Sequence, residues 1–205
     1  MPAAFRPEAT RLQRLADHLL FPINMWLSEE SSARLGLTPI DHERIRMALR
    51  QCRGRLLDVG CGSNLLVRLH GHGVGCDVHP YPEADVRCDS ALLPFAGGSF
   101  DTVALLACLN HITRRGETLR ECRRVLRPGG RVVVSMIPRW VGAVSHPVRK
   151  PHDPDQRDRG MGRDEAPGLS VREVTRLLAT AGFKVVLRQR FMWGLNGLFV
   201  GELDG

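Results

Sequence analysis

Apolar and polar positions follow two different periods along the chain, and each change of period marks a new element. Short apolar runs such as RLLDVG, VGCDVH, FDTVALLACL and RVVVSMI are typical of strands buried on both faces. Between them, SNLLVRLHGHG and TLRECRRVL place apolar residues three and four positions apart, which indicates helices. Because strands and helices alternate, the pattern predicts an α/β protein with a mainly parallel sheet.

Local signals set the ends of several elements. TPIDHERIRMAL predicts a helix with Thr38 as its N-cap and Pro39 at its first position. Ser170 and Glu173 form an S-x-x-E capping box, and Gly182 is expected to end the helix that this box begins. The runs KVVLRQRFMW and LNGLFVGEL are joined by a short turn with Gly and Asn, so an antiparallel pair is expected to close the sheet.

Two segments interrupt the alternation. The stretch LADHLLFPINMWL is rich in large apolar side chains but too short to span a bilayer, and its main interpretation is a helical lid within residues 1–37. A patch that touches a membrane and serves a lipid-like acceptor is the second interpretation. Residues 139–168 contain four prolines and four glycines, which predicts a long loop inserted into a domain spanning residues 38–205.

Composition narrows the class of protein. With 205 residues, 43% of them apolar and 25% charged, the chain is expected to form one soluble domain with an appendage. It has no apolar run long enough to span a bilayer, and charged residues in its first twenty positions argue against a secretory signal, so we expect a cytoplasmic protein. The six cysteines form no C-x-x-C pair and are expected to be reduced, and no metal site is expected.

The positive charge is concentrated in one helix. The chain has a net charge of +7, and seven arginines but only two glutamates lie between residues 114 and 131. Four of the arginines recur at helical spacing opposite an apolar face, which favours a solvated helix surface. A surface for nucleic acid or for an anionic membrane is the alternative. The four arginines are Arg120, Arg123, Arg124 and Arg127.

The first predicted strand ends in a turn, DVGCGSN, with Gly60 and Gly62 one residue apart. Such a turn before a helix lets the backbone approach a ligand and points amide groups at it, which fits either NAD or S-adenosylmethionine. Asp77 ends the next strand, seventeen residues after Gly60, where a carboxylate can accept hydrogen bonds from ribose hydroxyls. These two features do not distinguish between the two cofactors.

A longer series of motifs favours one of them. LLDVGCGSN, VGCDVHP, RCDSALLPF, GGSFDTVALLACLNHI and LRECRRVLRPGGRVVVS, in this order, resemble class I S-adenosylmethionine-dependent methyltransferases of the type 11 group, which includes ubiquinone and menaquinone methyltransferases. The resemblance implies a three-layer Rossmann-like fold with a mostly parallel seven-stranded sheet, and S-adenosyl-L-methionine as cofactor. Where the family has a third glycine, this chain has Asn64, which tolerates positive φ. The implied cofactor-binding residues are Asp58, Gly60, Cys61, Gly62, Asn64, Asp77, Val78, Asp89, Ser90 and Ala107.

The acceptor side is expected at the end of the fourth strand, ACLNHI, because ligands of open α/β sheets lie outside the carboxyl ends of the strands. There His111 is a candidate general base and Asn110 could orient a substrate, although His111 could equally cap the next helix. His146 and His152, in the predicted loop, are candidate substrate contacts.

These observations predict methyl transfer to a small-molecule or lipid-like acceptor by in-line displacement. An RNA methyltransferase and a non-catalytic methyltransferase-like binding module remain as alternatives. A nicotinamide oxidoreductase is disfavoured, since Tyr81 is followed four residues later by Asp85 and not by the Lys of a Y-x-x-x-K pair.

Overall fold

The computed structural model describes residues 10–24, 27, 29–149 and 165–204, with the backbone alone at residues 29 and 145–149. Within these residues, seven strands form one sheet. The strands are β1 (Leu56–Val59), β2 (Gly73–Asp77), β3 (Val86–Arg87), β4 (Phe100–Leu106), β5 (Leu126–Met136), β6 (Lys184–Phe191) and β7 (Asn196–Glu202). The helices are α1 (Arg11–Leu19), α2 (Phe21–Asn24), α3 (Glu29–Arg34), α4 (Ile40–Leu49), α5 (Leu65–His70), α6 (Arg115–Val125), α7 (Arg139–Arg149) and α8 (Val171–Thr180).

The strands lie in the order β3-β2-β1-β4-β5-β7-β6. β1 to β5 pair in parallel, and β7 pairs antiparallel with both β5 and β6. The prediction of a mostly parallel sheet closed by an antiparallel pair is confirmed. The chain leaves β1 toward β2 on one side and returns to β4 on the other, so the order reverses between β1 and β4. In open α/β sheets this reversal opens a crevice at the carboxyl ends of the strands.

Helices cover both faces of the sheet. Alternate residues of a strand point to opposite faces, so Leu56 and Leu57 of β1 enter two different clusters and both are fully buried. One cluster joins the sheet to α6 and α8, and includes Leu57, Val103, Leu119, Cys122, Val174 and Leu178. The other joins it to α4 and α5, and includes Met47, Leu56, Leu66, Ala104, Val133 and Leu198. The result is the expected three-layer arrangement.

Thr38 does not cap α4, which corrects the sequence-based prediction. The helix begins at Ile40, with Pro39 at the N-cap position and no side-chain hydrogen bond there. Thr38 instead binds Asp17 of α1: its hydroxyl donates to Oδ2 at 2.6 Å and its N–H donates to Oδ1 at 2.8 Å. A carboxylate supplied by another helix has therefore taken the hydroxyl that would have capped α4.

The segment 139–168 is not a continuous loop. Its first eleven residues form α7, and residues 150–164 lie outside the described part of the chain. A Cβ on Gly142 of α7 would lie 1.6 Å from the carbonyl oxygen of Pro167, and one on Gly168 would lie 2.4 Å from the carbonyl oxygen of Ile137. These two glycines permit close backbone contact where the sequence suggested flexible turns.

The described part of the N-terminal segment contains α1, α2 and α3, and it does not bury its large apolar residues together. Phe21 is buried, whereas Leu19, Leu20 and Ile23 are exposed. No helix within the described residues is long and apolar enough to cross a bilayer. A lid within residues 1–37 and a domain boundary at residue 38 stay predictions.

Candidate cofactor and acceptor site

The turn after β1 lies at the crevice and is shaped by its glycines. Gly60 has a φ of +73°, and a Cβ there would lie 2.7 Å from Cβ of Cys108, in the turn after β4. The Cys108 thiol in turn donates to the carbonyl of Val59 at 3.1 Å. Around Gly62, with a φ of +49°, no described atom beyond the chain neighbours lies within 4 Å of the position that a Cβ would take. Gly60 is therefore required by packing, whereas Gly62 faces an opening.

The amide groups of this turn bind protein acceptors, contrary to the expectation that they point freely at a ligand. Gly60 and Cys61 donate their N–H groups to the carbonyl of Cys76, at 2.8 and 3.1 Å. Gly62 donates its N–H to Asp77 Oδ2 at 3.0 Å. The turn is thus fixed to the end of β2 by its own backbone.

Asp77 connects the two strand ends. Besides the Gly62 amide, its carboxylate accepts the N–H of His79 through Oδ1 at 2.9 Å. The side chain is partly exposed at the carboxyl end of β2, beside the opening at Gly62. The two N–H donors hold the carboxylate in one orientation, at the strand end where a ribose was expected.

Asp58 carries the most perturbed carboxyl group of the crevice. Its side chain is buried in β1, and Oδ1 has no hydrogen-bond partner among the described residues. Burial first, and the nearby charge of Asp77 second, raise the pKa of Asp58 to about 7. A buried carboxyl group that is about half ionised near neutral pH is suited to a cationic partner, because such a partner would favour its charged form.

Asn64 adopts the left-handed backbone predicted for it, with a φ of +54°. Its side-chain amide donates to the carbonyl of Glu83 and to Asp85 Oδ2, both at 2.9 Å. A Cβ on Gly75 would lie 2.1 Å from Asn64 Oδ1, so a glycine of β2 makes room for this side chain. Asn64 thus stabilises the turn by binding the segment that follows β2.

The residues predicted to meet an adenine follow β3, where Asp89 is exposed and Ser90 is half-buried. Asp89 accepts the N–H of Ala91 at 2.9 Å and forms an ion pair with Arg114. The hydroxyl of Ser90 lies 3.0 Å from that of Thr118, at the first turn of α6. These contacts hold the β3 end against α6 and leave about half of the Asp89 side chain accessible.

Three further predicted cofactor residues lie around the crevice. Val78 follows β2 and is exposed. Ala107 follows β4 with a φ of +54°, and its N–H donates to the carbonyl of Ser135 at 3.1 Å. Cys61 lies inside the β1 turn, and burial, followed by the charge of Asp58, raises the pKa of its thiol above the ordinary range.

The structure adds Glu165 to the predicted pair of His111 and Asn110. His111 Nδ1 lies 3.0 Å from Glu165 Oε2, and His111 Nε2 lies 2.9 Å from the Asn110 side-chain amide nitrogen. That amide also donates to the carbonyl of Ala166 at 3.1 Å, which fixes its orientation. Asn110 must then donate to Nε2, so the imidazole carries its proton on Nδ1 and donates it to Glu165.

This cluster is nearly closed to solvent: the side chains of Glu165 and His111 are 2% and 18% exposed. Glu165 lies fifty-four positions from His111 along the chain, and no local motif marked it. The two substrate contacts predicted in the loop cannot be placed, since His152 lies outside the described residues and only the backbone of His146 is described. No group of three or more metal-ligating side chains occurs among the described residues.

Four clustered arginines in α6 and at the start of β5 were considered as a possible ligand surface, and three of them contact other parts of the protein. Arg123 donates to the carbonyl of Ala181, and Arg124 binds Glu121 together with two backbone carbonyls. Arg127 forms a two-point contact with Asp101 at 2.7 and 2.8 Å. These contacts favour a structural role for the four arginines over a ligand-binding surface.

The sequence and the fold of this chain are similar to those of known proteins. A family described as the methyltransferase domain matches residues 57–134, which run from β1 into β5. These residues are similar to that domain family. The chain is 32% identical over 179 residues to the probable S-adenosylmethionine-dependent methyltransferase of Mycolicibacterium smegmatis, a match that covers 80% of this chain and 64% of that protein. It is 30% identical over 126 residues to the ubiquinone biosynthesis O-methyltransferase of Xanthomonas euvesicatoria, covering 52% of this chain and 53% of that protein.

The fold agrees with the sequence match. The crystal structure of Burkholderia thailandensis 1,6-didemethyltoxoflavin-N1-methyltransferase, with bound 1,6-didemethyltoxoflavin and S-adenosylhomocysteine, superposes with a TM-score of 0.60 at 18% identity, covering 99% of this chain and 94% of that one. At this identity the likeness shows the fold alone. Together, the domain match, the relatives and the fold confirm the resemblance to S-adenosylmethionine-dependent methyltransferases.

Proposed function

We propose that this chain transfers the methyl group of S-adenosylmethionine to a small-molecule or lipid-like acceptor. The observation that carries the proposal is the crevice at the carboxyl ends of β1, β2 and β4, which brings Asp58, Gly62 and Asp77 to one side and His111 to the turn after β4. The chain spans 64% and 53% of the two relatives described above, and one of these is a methyltransferase of ubiquinone biosynthesis.

The residues of the crevice fit the cofactor. The open space at Gly62 gives the amino-acid part of the cofactor room beside the backbone, where a side chain would stand in the way. Asp58 Oδ1, buried and without a described partner, matches a cationic group that needs an acceptor. Asp77 offers a carboxylate already oriented by two backbone N–H groups, which suits a ribose diol.

The acceptor side uses the residues around His111. When bound, the cofactor supplies a methyl group already activated by its sulfonium. His111 Nε2 accepts the proton of an acceptor hydroxyl or amine. The acceptor oxygen or nitrogen receives the methyl group as it loses that proton. Glu165 accepts the hydrogen on the opposite nitrogen, Nδ1, which leaves Nε2 as the nitrogen that can accept a proton. In the structure the Asn110 amide occupies Nε2, so the acceptor must replace this contact before it can lose its proton.

The fate of a labelled methyl group tests this proposal. The purified chain is incubated with S-adenosylmethionine tritiated on the methyl group and a cell extract, and the label is followed into organic-soluble compounds, aqueous metabolites, RNA and protein. We expect label in the organic-soluble or small aqueous fraction. We expect His111→Ala to reduce this labelling about a hundredfold or more. His72→Ala changes an exposed histidine at the amino end of β2, away from the carboxyl ends of the strands, and should leave the labelling unchanged.

The same experiment separates the alternatives. Label in RNA would contradict the proposed acceptor class and assign an RNA substrate. If calorimetry shows that the cofactor binds but no fraction acquires label, the chain is a binding module without turnover. Equal labelling by the wild-type and His111→Ala proteins would retain the methyltransferase but remove His111 from the chemistry.

A further inference from the structure

α1 is attached to the domain by its polar face. Gln13 Nε2 donates to the carbonyl of Gly36 at 2.7 Å and to Asp17 Oδ1 at 3.0 Å. Asp17 accepts both the N–H and the hydroxyl of Thr38. Three of these four hydrogen bonds join residues more than twenty positions apart. They therefore fix the rotation of α1 about its axis.

The opposite face of α1 is apolar and points outward. Leu12, Leu15 and Leu19 recur at three- and four-residue spacing, and Leu12 and Leu19 are 81% and 64% exposed. Ile23 of α2, four residues after Leu19, is also exposed. An amphipathic helix of a globular domain normally turns its apolar side to the core. In α1 the orientation is reversed, so that the leucines are exposed and form an apolar patch on the surface.

An aromatic side chain from the far end of the chain borders the patch. Trp193 lies in the turn between β6 and β7, and its indole N–H donates to the carbonyl of His18 at 2.9 Å. Its ring lies 6.0 Å from that of Phe21, centre to centre, and remains 52% exposed. A tryptophan with its N–H satisfied and its ring at the surface is typical of side chains that lie at a membrane interface.

The charges of this region decide between occupants. Arg11 and Arg14 flank the leucines and are exposed, while Asp17, the one acidic residue of α1, is turned inward to Thr38. A second copy docking through the same patch about a two-fold axis would bring these arginines toward their own counterparts. An anionic lipid surface instead offers opposite charge to the arginines and hydrocarbon to the leucines.

We infer that this interfacial face, formed by Arg11, Leu12, Arg14, Leu15, Leu19, Ile23 and Trp193, binds the surface of an anionic lipid bilayer. The inference is independent of methyl transfer, since it needs neither the cofactor nor His111. The β6–β7 turn that carries Trp193 lies beside the carboxyl end of β5, where Gly197 pairs with Met136. A bilayer bound there lies at the sheet edge that holds the acceptor side of the crevice.

Vesicle co-sedimentation of the full chain tests the inference. We expect binding to phosphatidylcholine vesicles that contain phosphatidylglycerol, and much weaker binding to phosphatidylcholine alone. Leu15→Gln is expected to weaken the partition about tenfold or more, while the control Leu69→Gln, which changes an exposed leucine of α5, leaves it unchanged. Arg14→Ala is expected to weaken binding to the anionic vesicles about fivefold, and added salt to reduce that difference.

Circular dichroism and the thermal midpoint establish that each variant is folded, and Leu15 is exposed, so neither is expected to change. Wild-type protein that does not sediment with anionic vesicles would overturn the inference. Equal partition of Leu15→Gln and wild type would do the same. A wild-type dimer in analytical ultracentrifugation that Leu15→Gln dissociates, without vesicle binding, would assign the face to a second copy instead.

Discussion

Replacing Asp58 by Asn is expected to stabilise the protein and to weaken its cofactor binding at the same time. The change keeps the shape of the side chain and removes a charge that is buried in β1 with Oδ1 unpartnered. Natural proteins retain such costly groups at functional sites, where a ligand satisfies them. Asp58→Asn separates the cost to folding from the benefit to binding.

The magnitude follows from the pKa. Burial and the charge of Asp77 raise the pKa of Asp58 to about 7, whereas an unfolded chain gives it the ordinary value of about 3.8. The contribution of this carboxyl group to the free energy of unfolding is thus fully present below pH about 4 and is lost as the pH rises to about 7. Three pKa units at about 1.4 kcal/mol each give a loss on the order of 4 kcal/mol. Asn does not titrate and does not suffer this loss.

Urea unfolding followed by circular dichroism at several pH values measures the effect. The difference in free energy of unfolding between Asp58→Asn and wild type is expected to grow by about 3 kcal/mol, in favour of the variant, from pH about 5 to pH about 8. Asp101→Asn is the control of opposite sign. The Arg55 N–H first, and the contacts with Arg127 after it, lower the pKa of Asp101, so its stabilisation is present above pH about 4 and is lost as the pH falls.

A stability difference between Asp58→Asn and wild type that does not change with pH would refute this reasoning. Cofactor binding supplies a second observation. If the ionised carboxylate attracts a cationic group of the cofactor, wild-type affinity should rise with pH through about 7, and the affinity of Asp58→Asn should be lower and independent of pH.

Other predictions concern the acceptor side, the glycine turn and the charged helix. Glu165→Ala should lower turnover about tenfold to a hundredfold in steady-state assays without changing cofactor affinity. Glu165→Gln should retain more turnover than Glu165→Ala, because its carbonyl can still accept from His111 Nδ1. Equal losses of turnover in the two variants would exclude a positioning role. Gly60→Val should weaken cofactor binding at least tenfold and lower the thermal midpoint, since its Cβ would lie 2.7 Å from that of Cys108; calorimetry showing wild-type affinity would contradict this. In gel-shift assays at physiological salt, RNA affinity is expected to stay weaker than about micromolar, and Arg127→Ala should not change it; tight binding with a steep salt dependence would overturn this expectation.

Much of the fold follows from local patterns in the sequence. The all-buried strand β1, the capping box of Ser170 and Glu173 and the antiparallel pair β6–β7 were predictable, because each depends on residues close together in the chain. The resemblance to methyltransferases followed from five motifs in a fixed order. The left-handed backbone at Asn64 could also be predicted, since Asn tolerates positive φ.

Features that depend on distant contacts could not be predicted. The sequence favours Thr38 as a helix cap, and the carboxylate of Asp17 that takes its hydroxyl comes from another helix. Gly142 suggested a loop, but it lies in α7, where the absence of a side chain leaves room for the backbone of Pro167. Glu165 joins the acceptor side only through tertiary structure. The large apolar side chains near Leu19 favoured a helical lid, but gave no sign that the polar side of α1 faces the protein.

Titration calorimetry of S-adenosylmethionine into the wild-type chain and into Asp77→Ala tests the central proposal, a single adenosyl site at the ends of β1 and β2. We predict that the wild-type chain binds S-adenosylmethionine and gives no heat with NAD. Asp77→Ala, with an unchanged circular dichroism spectrum, should bind about tenfold to a hundredfold more weakly, because charge-assisted hydrogen bonds to the ribose are lost. Equal affinity of the two proteins for S-adenosylmethionine would contradict the proposed placement of the cofactor site.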